Sequence, residues 1–174
     1  MGLFQEPAQE QRRLKMYIYG IHGTGKTVCS LNFPDPAVID FDSGTDWYLK
    51  AFKMKRLRTT DIDQAIQAID ELIKDPTGVK TVVVDSMTKF WELLQEKHLK
   101  RLRVKKGSPT YTFQPIDYKA IKGDVKSFIN KLLALDLNIV ATAQSKNVYS
   151  QDTGEFMKIT GSEPDGPKEA PYNV

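Results

Sequence analysis

The run at residues 20–27 constrains the fold more than any other part of the chain. It reads Gly-Ile-His-Gly-Thr-Gly-Lys-Thr and fits the pattern G-x-x-x-x-G-K-[ST]. An apolar stretch, residues 16–19, precedes it, and a helix-compatible stretch, residues 27–31, follows it. Glycines let backbone N–H groups turn toward a phosphate, the lysine reaches the β- and γ-phosphate oxygens, and the last hydroxyl can ligate Mg²⁺ at a helix N-terminus. The run predicts a strand, loop and helix that bind ATP with Mg²⁺.

The predicted nucleotide contacts include the whole loop and one cysteine beyond it. Cys29 is the single cysteine of the chain, which excludes an intrachain disulfide and a cysteine-cluster metal site. Its position just after the loop predicts a small buried hydrophobic residue. The predicted contacts are Gly20, Ile21, His22, Gly23, Thr24, Gly25, Lys26, Thr27 and Cys29.

Composition places the chain among globular proteins. Of its 174 residues, 40% are hydrophobic and 27% are charged, which is typical of one domain with a substantial core. The apolar runs are short and the N-terminus has no signal-peptide pattern, so we expect a cytoplasmic protein without a membrane partner. Residues 1–15 are polar and predict a flexible arm ahead of a domain at residues 16–174.

Four apolar strands alternate with helical patterns along this domain. The strands are predicted at residues 16–19, 37–39, 81–85 and 137–143. Thr60 and Asp61 are expected to cap a helix that ends at residues 75–78, and a second helical pattern covers residues 118–133. Nearly continuous apolar strands between helices indicate an α/β fold with a mainly parallel sheet covered on both faces.

Acidic residues at strand ends supply the second half of the predicted chemistry. Asp85 closes the strand at residues 81–85, where a carboxylate can hold Mg²⁺ beside the phosphates. Ser86 stands where many NTPases carry a catalytic Glu, so the group that orients water must come from elsewhere. Asp42 is favoured over Glu92, which is expected on a helix surface. The alternative role for Asp42 is an Asx turn with Gly44.

The fourth strand ends at Gln144, a neutral amide that can sense the γ-phosphate. Residues 146–168 are rich in Gly, Ser, Lys and Asn and predict a flexible segment that could respond to the nucleotide. Cations crowd residues 97–106 and again residues 50–58, although the net charge is only +3. Either group could be a solvated helix face.

Together, residues 20–27, 40–42, 82–86 and 143–144 resemble the ATPase core of the RecA family, and most closely the small bacteriophage proteins that anneal single strands. The resemblance covers residue 16 to the end and implies a three-layer P-loop NTPase that would act in the host cytoplasm. It implies that Asp42 is the catalytic carboxylate, although the family's usual residue there is Glu. It also implies that Gln144 senses the γ-phosphate. The implied catalytic set is Lys26, Asp42, Asp85 and Gln144, with Thr27 and Asp85 holding Mg²⁺.

The resemblance also implies partners. Two DNA-binding loops are expected, one after the strand that ends at Asp85 and one at about residues 146–168. Basic residues interleaved with aromatic ones neutralise phosphates and stack bases. A homo-oligomer, as a ring or filament, and a single-strand-binding protein are the further expected partners. Either the sheet is minimal, or later strands of the core would lie beyond residue 174. The expected DNA contacts are Lys97, Lys100, Arg101, Arg103, Lys105, Lys106, Tyr111, Phe113, Lys146 and Lys158.

Two other functions fit the sequence. In a P-loop small-molecule kinase, residues 97–113 would form a lid over the substrate. In a nucleotide-switched module, such as a phage helicase-loading accessory protein, the loop would bind ATP to control a protein contact. The response of the ATPase rate to single-stranded DNA distinguishes these alternatives from the recombination function.

Overall fold

A six-stranded sheet forms the middle layer of the structure, a computed structural model that describes residues 13–149, 158–168 and 170–172. The spatial order of the first five strands is β1-β5-β4-β2-β3, and each neighbouring pair is parallel. The sixth strand pairs antiparallel with residues 144–149 of β5. The strands are β1 Lys15–Gly20, β2 Pro36–Asp40, β3 Lys55–Arg58, β4 Thr81–Asp85, β5 Asn138–Tyr149 and β6 Ile159–Asp165.

Four α-helices connect the strands, and their ends follow local capping chemistry. Asp61 caps the second helix as expected, because its Oδ1 accepts a hydrogen bond from the backbone N–H of Asp63 at 2.8 Å. Ser86 caps the third helix through Lys89, and Gly107 ends it with a φ of 63°. The helices are α1 Lys26–Leu31, α2 Ile62–Lys74, α3 Met87–Lys106 and α4 Tyr118–Leu133; short 3₁₀ helices cover Gly44–Tyr48, Pro115–Asp117 and Ala170–Tyr172.

Alternate strand residues fill two cores. The larger core lies between the sheet and helices α2, α3 and α4, where the rings of Phe90 and Phe128 stack with centroids 4.2 Å apart. The smaller core lies on the α1 face and contains Leu31, Val38 and Val83. Both faces of the sheet are therefore covered, which confirms the predicted three-layer α/β fold.

The structure corrects the expectation of a flexible segment after Gln144. Residues 145–149 continue β5 without a break, and residues 159–165 return beside them as β6. The Gly and Ser content of this segment favoured a loop, but Gly161 and Ser162 lie in β6, an outer strand that pairs with β5 on one side. The part of the predicted segment at residues 150–157 lies outside the described residues.

Two further elements differ from expectation. A 20-residue helix, α3, begins directly after Ser86 and occupies most of the interval where a DNA-binding loop was expected. The edge strand β3 was not predicted. At the other end of the chain, β1 begins at Lys15, and Arg13 forms an ion pair of 3.0 Å with Asp136; residues 1–12 of the predicted arm lie outside the described residues. Within the described part of the chain, no helix has the length and apolarity needed to cross a bilayer.

Candidate nucleotide-binding site

The glycine loop joins β1 to α1 with the backbone turns that the sequence predicts. Gly20 ends β1 in register with Gln144 of β5, and Lys26 begins α1. Gly23 and Gly25 have φ angles of 80° and 83°, in the left-handed region that favours glycine. No atom lies within 4 Å of a Cβ built at either glycine, so both backbones border open space.

Lys26 lies across the loop that carries it. Its Nζ donates hydrogen bonds of 2.8 Å to the carbonyl oxygens of Gly20 and Ile21. These bonds use two of the three ammonium donors and hold the charge beside the loop. Thr24 Oγ1 also donates to the Ile21 carbonyl, at 2.9 Å, and so closes the turn.

Asp85 is the buried carboxylate of the site. Its Oδ2 accepts a hydrogen bond of 2.8 Å from Thr27 Oγ1, and its Oδ1 accepts one from the buried hydroxyl of Thr142. Burial raises the pKa of Asp85, the two hydroxyls oppose that rise, and the charges of Asp42 and Asp40 add to it. A cation placed here would need the ionised carboxylate, so its affinity would fall as the pH drops through this raised pKa.

Asp42 lies opposite Asp85 in the turn that follows β2. Its Oδ1 accepts a hydrogen bond of 3.0 Å from the Gly44 N–H, which is the predicted Asx turn, and its Oδ2 accepts one of 3.4 Å from Ser86 Oγ. Asp42 also lines the cleft beside the loop. The turn therefore orients the carboxylate without removing it from the cleft. Glu92 is exposed on α3, pairs with Lys89 at 2.8 Å and is not part of the cleft lining.

A cleft of about 630 Å³ collects most of the predicted nucleotide site. Of the predicted nucleotide and catalytic residues, Gly20, Ile21, Thr24 and Cys29 are not part of its lining. Trp47 and Tyr48 line it although the sequence reasoning missed them, and Trp47 is 88% exposed. The sequence did offer a signal for Trp47, because a tryptophan stands in the polar segment that follows the aspartates at the end of the second strand. The lining is His22, Gly23, Gly25, Lys26, Thr27, Val28, Asp42, Ser43, Gly44, Trp47, Tyr48, Asp85, Ser86 and Gln144.

The prediction that Cys29 is buried was wrong. Cys29 is exposed on α1, while the next residue, Ser30, is buried. The Cys29 N–H donates to the Gly25 carbonyl at 2.8 Å, so this amide belongs to the hydrogen-bonding pattern of the helix. A phosphate in the cleft could therefore not accept a hydrogen bond from this amide.

Gln144 lies where the cleft meets the outer hairpin formed by β5 and β6. Its side chain lines the cleft, and its backbone N–H donates to Thr88 Oγ1 at 2.9 Å. The Thr88 hydroxyl in turn donates to the carbonyl of Asp165 at the end of β6. One hydroxyl on the first turn of α3 therefore contacts both strands of the hairpin.

The predicted DNA contacts fall into two groups. Four cations are exposed near the C-terminal end of α3, namely Lys100, Arg101, Lys105 and Lys106. The others contact protein groups. Lys97 pairs with Asp63, Arg103 Nε donates to the Tyr111 carbonyl at 3.2 Å, and Tyr111 Oη donates to Asp117 at 2.8 Å.

The remaining predicted DNA contacts lie apart from that surface. Phe113 packs against Tyr118, with ring centroids 5.4 Å apart, beside the larger core. Its ring is therefore part of the packing of the loop before α4. On the hairpin, Lys146 Nζ lies 3.5 Å from Glu163 and 3.8 Å from Asp165, and Lys158 is exposed just before β6.

The arrangement defines the class of protein. A phosphate loop connects β1 to α1, and it lies beside a buried carboxylate that ends β4, the second strand from β1 in the parallel part of the sheet. This arrangement makes the chain a P-loop NTPase. The model of the AAA domain family matches residues 12–174, and the chain belongs to this family. No curated protein matches the chain.

Proposed function

We propose that this P-loop NTPase hydrolyses ATP in the cleft and couples hydrolysis to single-stranded DNA binding in phage-type recombination or annealing. The observation that carries the first part is the meeting of Lys26, Thr27, Asp42, Asp85 and Gln144 in one cleft. The second part rests on the exposed cations of α3 and on the hairpin that begins at Gln144. ATP turnover measured with and without a single-stranded oligonucleotide tests both parts.

The side chains suit Mg²⁺-ATP. Within the described ranges, no group of three or more His, Cys, Asp and Glu residues could bind a metal by itself. Thr27 and Asp85 would hold Mg²⁺, with phosphate and water oxygens completing its ligands, and the bound ion would neutralise charge on the phosphates. Their hydroxyl and carboxylate are already 2.8 Å apart.

The catalytic roles follow from position. Lys26 would release the carbonyls of Gly20 and Ile21 and neutralise β- and γ-phosphate oxygens. Asp42 would orient the attacking water and accept its proton. Gln144 would donate a hydrogen bond to the γ-phosphate and so transmit its presence to β5.

Gly44→Ala tests the position of Asp42 without changing the charge of the site. A Cβ at residue 44 would lie 3.0 Å from Asp42 Oδ1 and 3.8 Å from Asp85 Oδ2, so the Asp42 carboxylate must shift. We expect kcat to fall roughly 10-fold, since a misplacement of about 1 Å can cost roughly 100-fold and this displacement is smaller. Steady-state phosphate release measures kcat, and circular dichroism checks the fold.

Gly123→Ala is the matched control for this substitution. Gly123 lies in α4, where no atom is within 4 Å of a new Cβ. Alanine there should leave kcat unchanged and stabilise the helix by up to about 1 kcal/mol. Normal turnover in a folded Gly44→Ala variant would contradict the proposed position of Asp42.

The two DNA surfaces lie at different distances from the cleft. At 1.5 Å per residue, Arg101 lies about 21 Å along α3 from the first residue of that helix. The hairpin, in contrast, begins at Gln144 in the cleft itself and is tied to α3 by Thr88. Binding through the α3 cations should therefore be independent of the nucleotide, while the hairpin should provide the ATP dependence.

Replacing Arg101 and Lys105 together by Ala tests the α3 surface. If both contact phosphates, the slope of log affinity against log salt should become shallower by about 1.4 units. The loss should be equal in ADP and in a non-hydrolysable ATP analogue. Gln144→Ala should instead keep the slope and remove the difference between the two nucleotides. Fluorescence anisotropy of a labelled single strand across a salt series measures both.

The double variant Lys50→Ala and Lys53→Ala removes the same charge from the second cationic group and serves as control. Its salt slope should stay within experimental error of the unmodified chain. No DNA binding at low salt in either nucleotide would refute the DNA function and favour the kinase or the nucleotide-switched module. Stimulation of ADP formation by a nucleoside would then select the kinase.

Assembly into a homo-oligomer on DNA, with or without a single-strand-binding protein, completes the proposal. Exposed apolar side chains near the glycine loop support it, since Ile21 is 68% exposed and Trp47 is 88% exposed. Mass photometry with a single-stranded oligonucleotide and the ATP analogue tests assembly. A monomer under all conditions would contradict this part alone.

A further inference from the structure

A buried acidic residue behind the cleft organises the segment that carries Asp42. Asp40 ends β2 and its side chain is fully buried. Its Oδ2 accepts hydrogen bonds from the backbone N–H of Thr45, at 3.2 Å, and from the Thr45 hydroxyl. Thr45 is also fully buried and lies in the 3₁₀ helix Gly44–Tyr48. The wall of the cleft is therefore anchored to the end of β2 by Thr45, the third residue after Asp42.

Arg56 closes this anchor from the edge strand β3. Its Nη1 lies 3.7 Å from Asp40 Oδ2, donates to Thr45 Oγ1 at 3.2 Å and forms an ion pair with Asp46. The side chain of Arg56 is 21% exposed, and Arg56 is not part of the cleft lining. One guanidinium thus contacts a strand end and two consecutive residues of the cleft wall.

The chemistry of Arg56 suits this role. The planar guanidinium presents several donors in fixed directions, whereas a lysine offers one compact charge on a flexible stem. Asp40 Oδ1 has no hydrogen-bond partner among the described residues, so the positive charge of Arg56 adds to the two hydrogen bonds from Thr45 in compensating this buried carboxylate. Loss of the charge would leave a buried anion, while a change to lysine keeps the charge and loses the fixed directions.

We propose that Arg56 is a positioning residue for ATP hydrolysis, which acts through Thr45 and Asp46 to hold Asp42 at the far wall of the cleft. This inference rests on the proposed function. The phosphate loop and Asp85 belong to other strands and do not contact Arg56. The arrangement therefore affects the chemical step and leaves nucleotide binding intact.

Arg56→Lys is the test, with Arg58→Lys as the matched control. Arg58 lies two residues away on the same strand, and its side chain is 58% exposed. Its backbone is the sheet partner of Asp40, but its guanidinium pairs with Asp46 Oδ2, at 3.3 Å. Arg56→Lys should lower kcat about 10-fold and leave the KM for ATP and the affinity for a fluorescent ADP analogue within about twofold. Arg58→Lys should keep kcat and KM within about twofold.

A third variant, Asp46→Asn, tests the proposal even if Arg56→Lys fails to fold. Asp46→Asn breaks the ion pair with Arg56 but leaves the buried Asp40 and its charge partner in place. It should also lower kcat, by less than Arg56→Lys, with the KM for ATP unchanged. Normal kcat in both Arg56→Lys and Asp46→Asn, or equal losses in Arg56→Lys and Arg58→Lys, would overturn the proposal.

The outcome also separates this inference from the function on which it depends. If Asp42→Asn abolishes turnover while Arg56→Lys and Asp46→Asn turn over normally, the ATPase assignment stands and the positioning role is wrong. A proportional loss of kcat and ADP affinity in Arg56→Lys would indicate a purely structural role and would also overturn it. If the unmodified chain binds no ATP, the proposed function itself fails.

Discussion

Lys26→Ala is expected to abolish ATP hydrolysis and to weaken ATP binding strongly while the fold remains intact. Lys26 supplies the cation of the glycine loop, and its loss removes stabilisation of the charge that develops on the γ-phosphate. Among the described residues its Nζ hydrogen-bonds to two loop carbonyls, those of Gly20 and Ile21, and Lys26 is part of neither core. We expect kcat to fall by roughly 100-fold or more. Phosphate release and equilibrium titration with a fluorescent ATP analogue measure the two effects.

Lys74→Ala is a suitable control for Lys26→Ala, because Lys74 is an exposed lysine at the end of α2, outside the cleft. Its turnover and affinity should match those of the unmodified chain. Circular dichroism should show the same helix content in both variants. A folded Lys26→Ala variant with normal turnover would remove the basis for the phosphate-loop assignment.

Substitution of the two cleft aspartates should separate catalysis from metal binding. Asp42→Asn keeps an oxygen that can accept the hydrogen bond from Gly44 but removes the base, so kcat should fall roughly 100-fold or more. Its affinity for Mg²⁺-ATP should stay within a few fold, because Thr27 and Asp85, the proposed Mg²⁺ ligands, are unchanged. Asp85→Asn should lower both kcat and the affinity.

The same experiment distinguishes the two candidate bases. Glu92→Gln removes a carboxylate that pairs with Lys89 on the surface of α3, and we expect no change in kcat. Single-turnover rates at saturating Mg²⁺-ATP isolate the chemical step for all three variants. Normal turnover of Asp42→Asn together with a loss in Glu92→Gln would reverse the assignment.

Buried strands and the loop were predictable because each depends on a strong local pattern. The run at residues 81–85 is buried at every position and forms β4 with the predicted bounds. The loop needs a positive φ at two positions, and the sequence places glycines, Gly23 and Gly25, at both. Asp85 and Gln144 could be placed because parallel strands direct their carboxyl ends to one edge of the sheet.

The elements that were missed depend on long-range contacts. Strand β3 has the sequence Lys-Arg-Leu-Arg, which shows no apolar alternation. It forms at the edge of the sheet by pairing with β2. The hairpin depends on pairing between residues 144–149 and 159–165, which no local pattern shows. The roles of Thr45 and Arg56 also depend on Asp40, which comes from a different strand than Arg56.

The exposed position of Cys29 has a practical consequence. Because Cys29 is the single cysteine and is exposed on α1, a maleimide dye should attach once per chain. The label would lie one helical turn beyond Lys26, beside the glycine loop but outside the cleft lining. The natural sequence therefore already carries an optical reporter site for nucleotide exchange, with no engineered thiol needed.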